Sequence, residues 1–282
     1  MQPPHFARNC SAFAALSVLI WDGLITYPHE YQHIWKTPTG AVKRMYLLTR
    51  YFGGISQITN VALMLGPLAP VSIPMRTCAI WFGFQLISFL SLMFTLEMVL
   101  SLRLYALYQQ NRNIGMLLLF SISTAIILSF VCGVRTVSRI GFDEACVVRK
   151  SPREFAYFSV ISFLRHVFLW IMTIRKRNVG RLGGSERAPV VQLMLRDGAW
   201  IFAVVSALLA TVTPYTYLIP VVAQAMFPWP ITLLSVLTCR LILNMQRLKM
   251  RTPPPSGPQL TTNISFTTTI ESLATSKFES DD

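Results

Sequence analysis

The apolar residues of this chain fall in long runs separated by short polar segments. A bilayer core needs about 20 mainly apolar residues per helix, and seven runs approach that length. They cover about residues 10–27, 45–66, 77–102, 114–134, 155–174, 198–218 and 224–245. The run at 114–134 carries no charge, 77–102 is interrupted only by Glu97, and 155–174 carries Arg165 at its centre. From Gly198 to Cys239 there is no charged side chain. That stretch is long enough for two crossings, with the turn expected around Pro220, Pro228 and Pro230 and a kink at Pro214. The first two runs are weaker, one carrying Asp22 and the other Arg50. The first lacks a basic leader and a small-residue cleavage site, so it reads as a helix of the mature chain. The fold expected is all-α, a seven-helix integral membrane bundle over residues 1–250.

Composition agrees. Hydrophobic residues make up 53% of the chain and charged ones 13%, far from the soluble average. Lys and Arg number 25 against 12 acidic residues, a formal charge of +13. An oily chain with its basic residues in loops fits a multi-pass membrane protein and not a nucleic-acid binder, whose basic surface sits on a soluble domain. Basic residues near helix ends are retained on the cytoplasmic side. With the N-terminus outside, 17 of the 25 fall inside, 7 fall outside and Arg165 lies within a span. The expectation is N-terminus outside and C-terminus cytoplasmic. Residues 251–282, opening on Pro253, Pro254 and Pro255 and then rich in Ser and Thr, read as a disordered cytoplasmic tail. The membrane is the plasma membrane or another of the secretory pathway, and the bilayer itself is the first partner.

The first run and the loop after it read WDGLITYPHEYQHIWKTPTGAVKRMYLLTRYFGG, with landmarks Asp22, Thr26, Glu30, Ile34, Trp35, Lys43, Arg50 and Tyr51. This resembles the N-terminal signature, at about residues 12–56, of DUF6533, a multi-pass membrane family of fungi best represented in basidiomycetes. The phrases SLRLYALYQQNR, LMLRDGAWIF and LTCRLILNMQ further along are similar to the helix-end phrases of that family. The resemblance implies seven helices and brings no assigned activity. His29 and His33 lie outside its pattern.

HEYQH, His29 to His33, has the spacing that sets two imidazoles on one helix face beside a general base, as in zinc metalloproteases. A catalytic zinc needs a third protein ligand, and the remaining histidines are His5 and His166, the latter deep in the fifth run. Pro28 would force a helix to begin there, in a short loop between spans. The motif therefore reads as coincidental, an interfacial loop helix with Tyr31 and Trp35 at headgroup level and Glu30 near a basic residue. No catalytic, cofactor-binding or metal-binding residue is assigned.

Charges inside a membrane span are costly and mark functional sites. Glu97 and Arg165 are the two that matter, although Glu97 falls in the inner half of its run and Arg165 near the middle of its own, so pairing would require reach along the bundle. Asp22 and Arg50 fall near inner helix ends, where packing or snorkelling accounts for them. Five cysteines include no CxxC pair. Cys78 and Cys146 both fall on the outer side, where an oxidising lumen favours a disulfide.

Seven helices with an outer N-terminus resemble G-protein-coupled receptors. Arg103 sits at the inner end of the third run with Tyr105 beside it, and the basic loop at 175–196 is the expected seat of a cytoplasmic signalling partner. An NPxxY phrase and an acidic residue directly before Arg103 are absent. A Gly-rich phosphate loop, a GxSxG elbow and a midmembrane Lys suited to a Schiff base are absent too. A receptor-like or sensory role leads, a transporter or channel using Glu97 and Arg165 comes second, and a membrane zinc protease is a distant third.

Overall fold

The computed structural model describes residues 4–36, 40–65, 74–108, 111–142, 146, 148–150, 153–182, 200–211 and 226–251. Helix α1 (Pro4–Glu30) continues into a π-turn at Tyr31–Trp35. Next comes a helical run in three pieces, α2 (Ala41–Leu47), a second π-turn (Leu48–Phe52) and α3 (Gly53–Leu65). Helices α4 (Met75–Leu107) and α5 (Arg112–Arg139) follow. A two-stranded hairpin, β1 (Gly141–Phe142) and β2 (Val148–Lys150), leads to α6 (Arg153–Leu182). The chain closes with α7 (Trp200–Thr211) and α8 (Pro228–Arg251).

Five of these helices are long and apolar enough to cross a membrane: α1, α4, α5, α6 and α8. α7 is a shorter apolar helix. The expected spans at 45–66 and 198–218 thus differ from the others, one being segmented and the other described only over 200–211. The predicted Pro-rich turn and Pro214, the basic segment from residue 183 to 196 and the tail after Arg251 lie outside the described residues.

Local chemistry accounts for the element ends and the polar residues inside them. The Asn111 side chain caps α5 by accepting from the Asn113 amide at 3.0 Å, which satisfies one of the open amides of the first turn. Inside the helices, hydroxyls of Thr26, Thr49, Ser91, Thr95, Thr173 and Thr238 donate to the carbonyl four residues back. A polar side chain is thereby satisfied within its own apolar helix. Pro28 does not break α1 as the sequence suggested. It removes one amide close to the helix end, where the ladder is already widening into the π-turn that follows.

The architecture is all-helical, as expected; the segment between α5 and α6 adds only a short antiparallel hairpin pairing Gly141 with Lys150 and Phe142 with Val148. Cys146, in its turn, has φ 57, a left-handed conformation that non-glycine residues rarely hold without an external tie. The tie is a disulfide to Cys78 at the start of α4, with a Cα–Cα distance of 5.4 Å, inside the usual range for such bonds.

α4 is the central post, packed against α5, α6 and α8, while α1 lies against α3 and α8. Leu92, Leu96 and Leu100 of α4 meet Leu234, Leu241 and Ile242 of α8 and Leu169 of α6 in the main core. A smaller core at the disulfide end gathers Ala12, Val61, Met64, Trp81 and Phe82 around the two bonded cysteines. The outward faces are equally oily: Trp21 and Leu24 of α1 and Phe120, Ile127 and Phe130 of α5 are exposed. Asp22, Gln57, Asn60, Gln85, Glu97 and Arg165 are buried. A water-soluble bundle would reverse that arrangement, whereas apolar surfaces facing lipid and polar groups facing the interior belong to a membrane-embedded one.

One glycine is required by close approach. A Cβ on Gly53 would lie 2.7 Å from Ser235 Oγ and 2.9 Å from Ser235 Cβ, and a Cβ fixed to its own backbone cannot step aside. Gly53→Ala is therefore expected to cost about 1–3 kcal/mol, the usual range for overpacking, measured by thermal unfolding in detergent. Combining it with Ser235→Gly should restore most of the loss.

Candidate functional site

Two charged clusters lie inside the bundle. The first forms where α1, the second π-turn and α8 meet, at the end opposite the disulfide. Asp22 accepts from Arg50 Nη1 through Oδ2 at 2.9 Å and from Arg240 Nε through Oδ1 at 2.9 Å. Arg50 Nη2 also donates to Thr26 Oγ1 at 2.9 Å, and the Thr26 hydroxyl donates to the Asp22 carbonyl at 2.7 Å. Arg50 thus grips Asp22 and Thr26, two of the signature residues of α1, and it lies over Gly23, where a Cβ would stand 2.8 Å from Nη2. Tyr46 and Glu30, both buried, adjoin the same cluster. Snorkelling does not describe this arrangement. Three helical segments converge on one carboxylate, so Asp22 and Arg50 point inward and neutralise each other.

The second cluster joins α4, well past its midpoint, to α6 near its middle. Arg165 Nη1 donates to Glu97 Oε2 at 2.5 Å, and His166 Nε2 lies 3.8 Å from Glu97 Oε1. The His166 ring meets Phe202 of α7 edge-on, with centroids 6.1 Å apart. The sequence suggested that Glu97 and Arg165 stood at different depths. They do pair, and the long arginine side chain supplies the reach along the bundle that the pairing requires.

Between the first cluster and the disulfide end runs a set of polar contacts that the sequence reading did not single out. Gln57 Nε2 donates to the Pro228 carbonyl at 2.6 Å and to Thr232 Oγ1 at 3.1 Å. Asn60 Oδ1 accepts from Trp81 Nε1 at 3.0 Å and from Gln85 Nε2 at 2.7 Å. Ser235 Oγ donates to the Thr49 carbonyl at 3.1 Å, and the Arg8 guanidinium lies over the Trp81 ring, 5.6 Å from its centroid. The missed signal was spacing: Ser56, Gln57 and Asn60 share one face of a helix, as do Trp81, Gln85 and Ser88. A polar stripe within an apolar helix is an interior face.

Of the remaining candidates, Trp35 and Tyr51 are exposed. The Trp35 carbonyl accepts from Lys43 Nζ at 3.4 Å. The Tyr31 ring is exposed beneath Lys36 Nζ, 5.3 Å from its centroid. His29 belongs to α1 and His33 to the π-turn. Among the described residues no three His, Cys, Asp or Glu converge as a metal site would require. Arg103, near the C-terminal end of α4, donates to the Leu241 carbonyl of α8 at 2.6 Å. The Tyr108 hydroxyl, also there, donates to the Met172 carbonyl of α6 at 3.1 Å.

These contacts give the family comparison its meaning. The model of DUF6533, a family of unknown function, matches residues 10–55. Asp22, Thr26, Glu30 and Arg50 all fall within that segment, and Asp22, Thr26 and Arg50 form one hydrogen-bonded unit. No curated protein and no solved structure matches the chain. The DUF6533-like segment therefore supplies most of α1, both π-turns, α2 and the start of α3, together with two sides of the first cluster. Arg240, far along the chain, supplies the third.

Proposed function

We propose that the chain is a seven-helix integral membrane protein with a receptor-like, sensory role, its N-terminus outside and its C-terminus cytoplasmic. The apolar runs at 45–66 and 198–218, each near bilayer length in the sequence, are read as the two crossings beyond the five long helices. The 17 to 7 distribution of basic residues supports the orientation. The observation that carries the sensory role is the Asp22 cluster. One buried carboxylate ties α1, the second π-turn and α8. Such a tie is a two-position element: made, it holds the inner helix ends together, and released, it frees them for a cytoplasmic partner. Arg103 on the Leu241 carbonyl adds a second tie between α4 and α8 at the same end.

Epitope tags at the two termini, probed in intact and permeabilised cells, test the orientation. The N-terminal tag is expected to label in intact cells and the C-terminal tag only after permeabilisation; the reverse pattern refutes the reading.

A transporter or channel is the second reading, favoured by the direct contact of Glu97 with Arg165. It requires solute flux in proteoliposomes that Glu97→Gln abolishes, which the sensory role does not. On the same reading HEYQH is structural and the chain is not an enzyme. Glu30, the would-be base, is buried against Tyr46. Elemental analysis of the purified protein is expected to find no stoichiometric zinc; one zinc per chain, lost in His29→Ala, would promote the protease.

A further inference from the structure

We propose that the Arg165 cluster is a binding site for a small carboxylate, which enters together with one proton. The inference rests on the sensory reading only in giving that reading a ligand class.

The guanidinium has two edges able to bind an oxyanion in a fork. Arg165 uses Nη1 for Glu97. Its Nε and Nη2, which together form the other edge, are buried and make no hydrogen bond among the described residues. Both ring nitrogens of His166, itself 1% exposed, are in the same condition, and so is the hydroxyl of Ser101, one turn beyond Glu97. A bundle interior leaves such donors without partners only at a cost, since each has given up water. Here they sit on adjoining elements, α4 and α6, with Phe202 of α7 covering the imidazole. Two parallel N–H groups in a fork, with an imidazole on the next residue, match the two oxygens of one carboxylate.

Charge decides between oxyanions and requires the proton. The Glu97 carboxylate and the Arg165 guanidinium pair and cancel. A carboxylate adds one negative charge that the low-dielectric interior does not tolerate alone. The balancing proton goes to His166 or to Glu97, the titratable groups of α6 and α4 that face the site beside Arg165. The described part of α7 contains none. A phosphate dianion would need two such protons, so a monocarboxylate fits better. Its source is either a water-soluble acid or the headgroup of a fatty acid, whose tail would lie along Phe202 and the neighbouring aliphatic core.

The test uses the full chain in nanodiscs, titrated calorimetrically with butanoate in one arm and dodecanoate in the other. Saturable binding of either is expected, and the arm that binds more tightly names the source. Affinity should fall up to tenfold per unit rise in pH between about 6 and 8, as uptake of one proton requires. Comparing buffers of different ionisation heat should give close to one proton per ligand. Arg165→Lys keeps the charge facing Glu97 and removes the fork, so it should bind at least about tenfold more weakly. Glu97→Gln leaves Arg165 without a counter-charge; if it is too unstable to titrate, added carboxylate should raise its melting temperature more than it raises that of the wild type. Absence of binding in both arms, or equal affinity of wild type and Arg165→Lys, overturns the proposal. Because binding is read on purified protein, it can fail while the tag experiment stands, and the reverse.

Discussion

Cys78→Ala is expected to lower the unfolding free energy by up to about 4 kcal/mol, the chain-entropy value for a closed loop of this size, the bonded residues being 68 apart in sequence. That figure applies to unfolding into a disordered chain. Where unfolded helices stay inserted in lipid or detergent, the chain ends already have less freedom and the loss is smaller. Cys146→Ala should match Cys78→Ala, and the double replacement should cost no more than either single one, because one bond is lost in every case. Reduced wild type should melt with the variants. Thermal unfolding of the four samples with and without reductant is the measurement. A double variant costing the sum of the singles would show that packing of the two thiols, and not closure of the loop, supplies the stability. The free cysteines among the described residues, Cys10, Cys132 and Cys239, provide no substitute partner. Cys132 and Cys239 belong to other parts of the bundle, and Cys10 is an exposed residue of α1.

Asp22→Ala is expected to cost about 3–5 kcal/mol, the range for removing one partner of a buried ion pair. The cost comes from what remains. The Arg50 side chain is only 10% exposed and would keep a positive charge with no carboxylate beside it. Arg50→Ala should cost less, since Asp22 retains Arg240. Arg240→Ala should cost less than about 1 kcal/mol, because an ion pair with an exposed partner contributes little, and this side chain is 58% exposed. The double variant Asp22→Ala/Arg50→Ala should be more stable than the sum of its parts implies, which a double-mutant cycle on melting data measures. Additive losses would mean that the two residues act separately and would remove the tie on which the sensory reading depends.

Much of this was legible in the chain before any coordinates. Apolar runs near bilayer length marked the helices because the bilayer imposes that length. Glu97 and Arg165 stood out because charge inside such a run is costly. Asp22, Thr26 and Arg50 were visible as members of one signature, though not as neighbours. What sequence withheld depends on tertiary contact. Arg240 completes the Asp22 cluster from more than two hundred positions away, and no local pattern announces it. The Glu97–Arg165 pair could not be read from depth along the runs, because the reach of an arginine side chain bridges the offset between them. The hairpin that carries Cys146 is too short to leave a period-two signal.

The second π-turn has a consequence for the numbering of the helix that contains it. A π-turn accommodates one more residue than the α-helix it interrupts, so Ala41–Leu65 is in effect an α-helix with a single insertion. Excising one position between Leu48 and Phe52 would let the ladder close as an uninterrupted α-helix, each i to i−5 bond becoming an i to i−4 bond between the same groups. The two halves would keep nearly the phase they have now. A deletion in a purely α-helical stretch such as α3 would instead turn everything beyond it by about 100°, the angle one residue subtends. So long as Arg50 itself is kept on Asp22, the π-turn is the one part of this helical run that can lose a residue without swinging Gln57 and Asn60 away from α8 and α4.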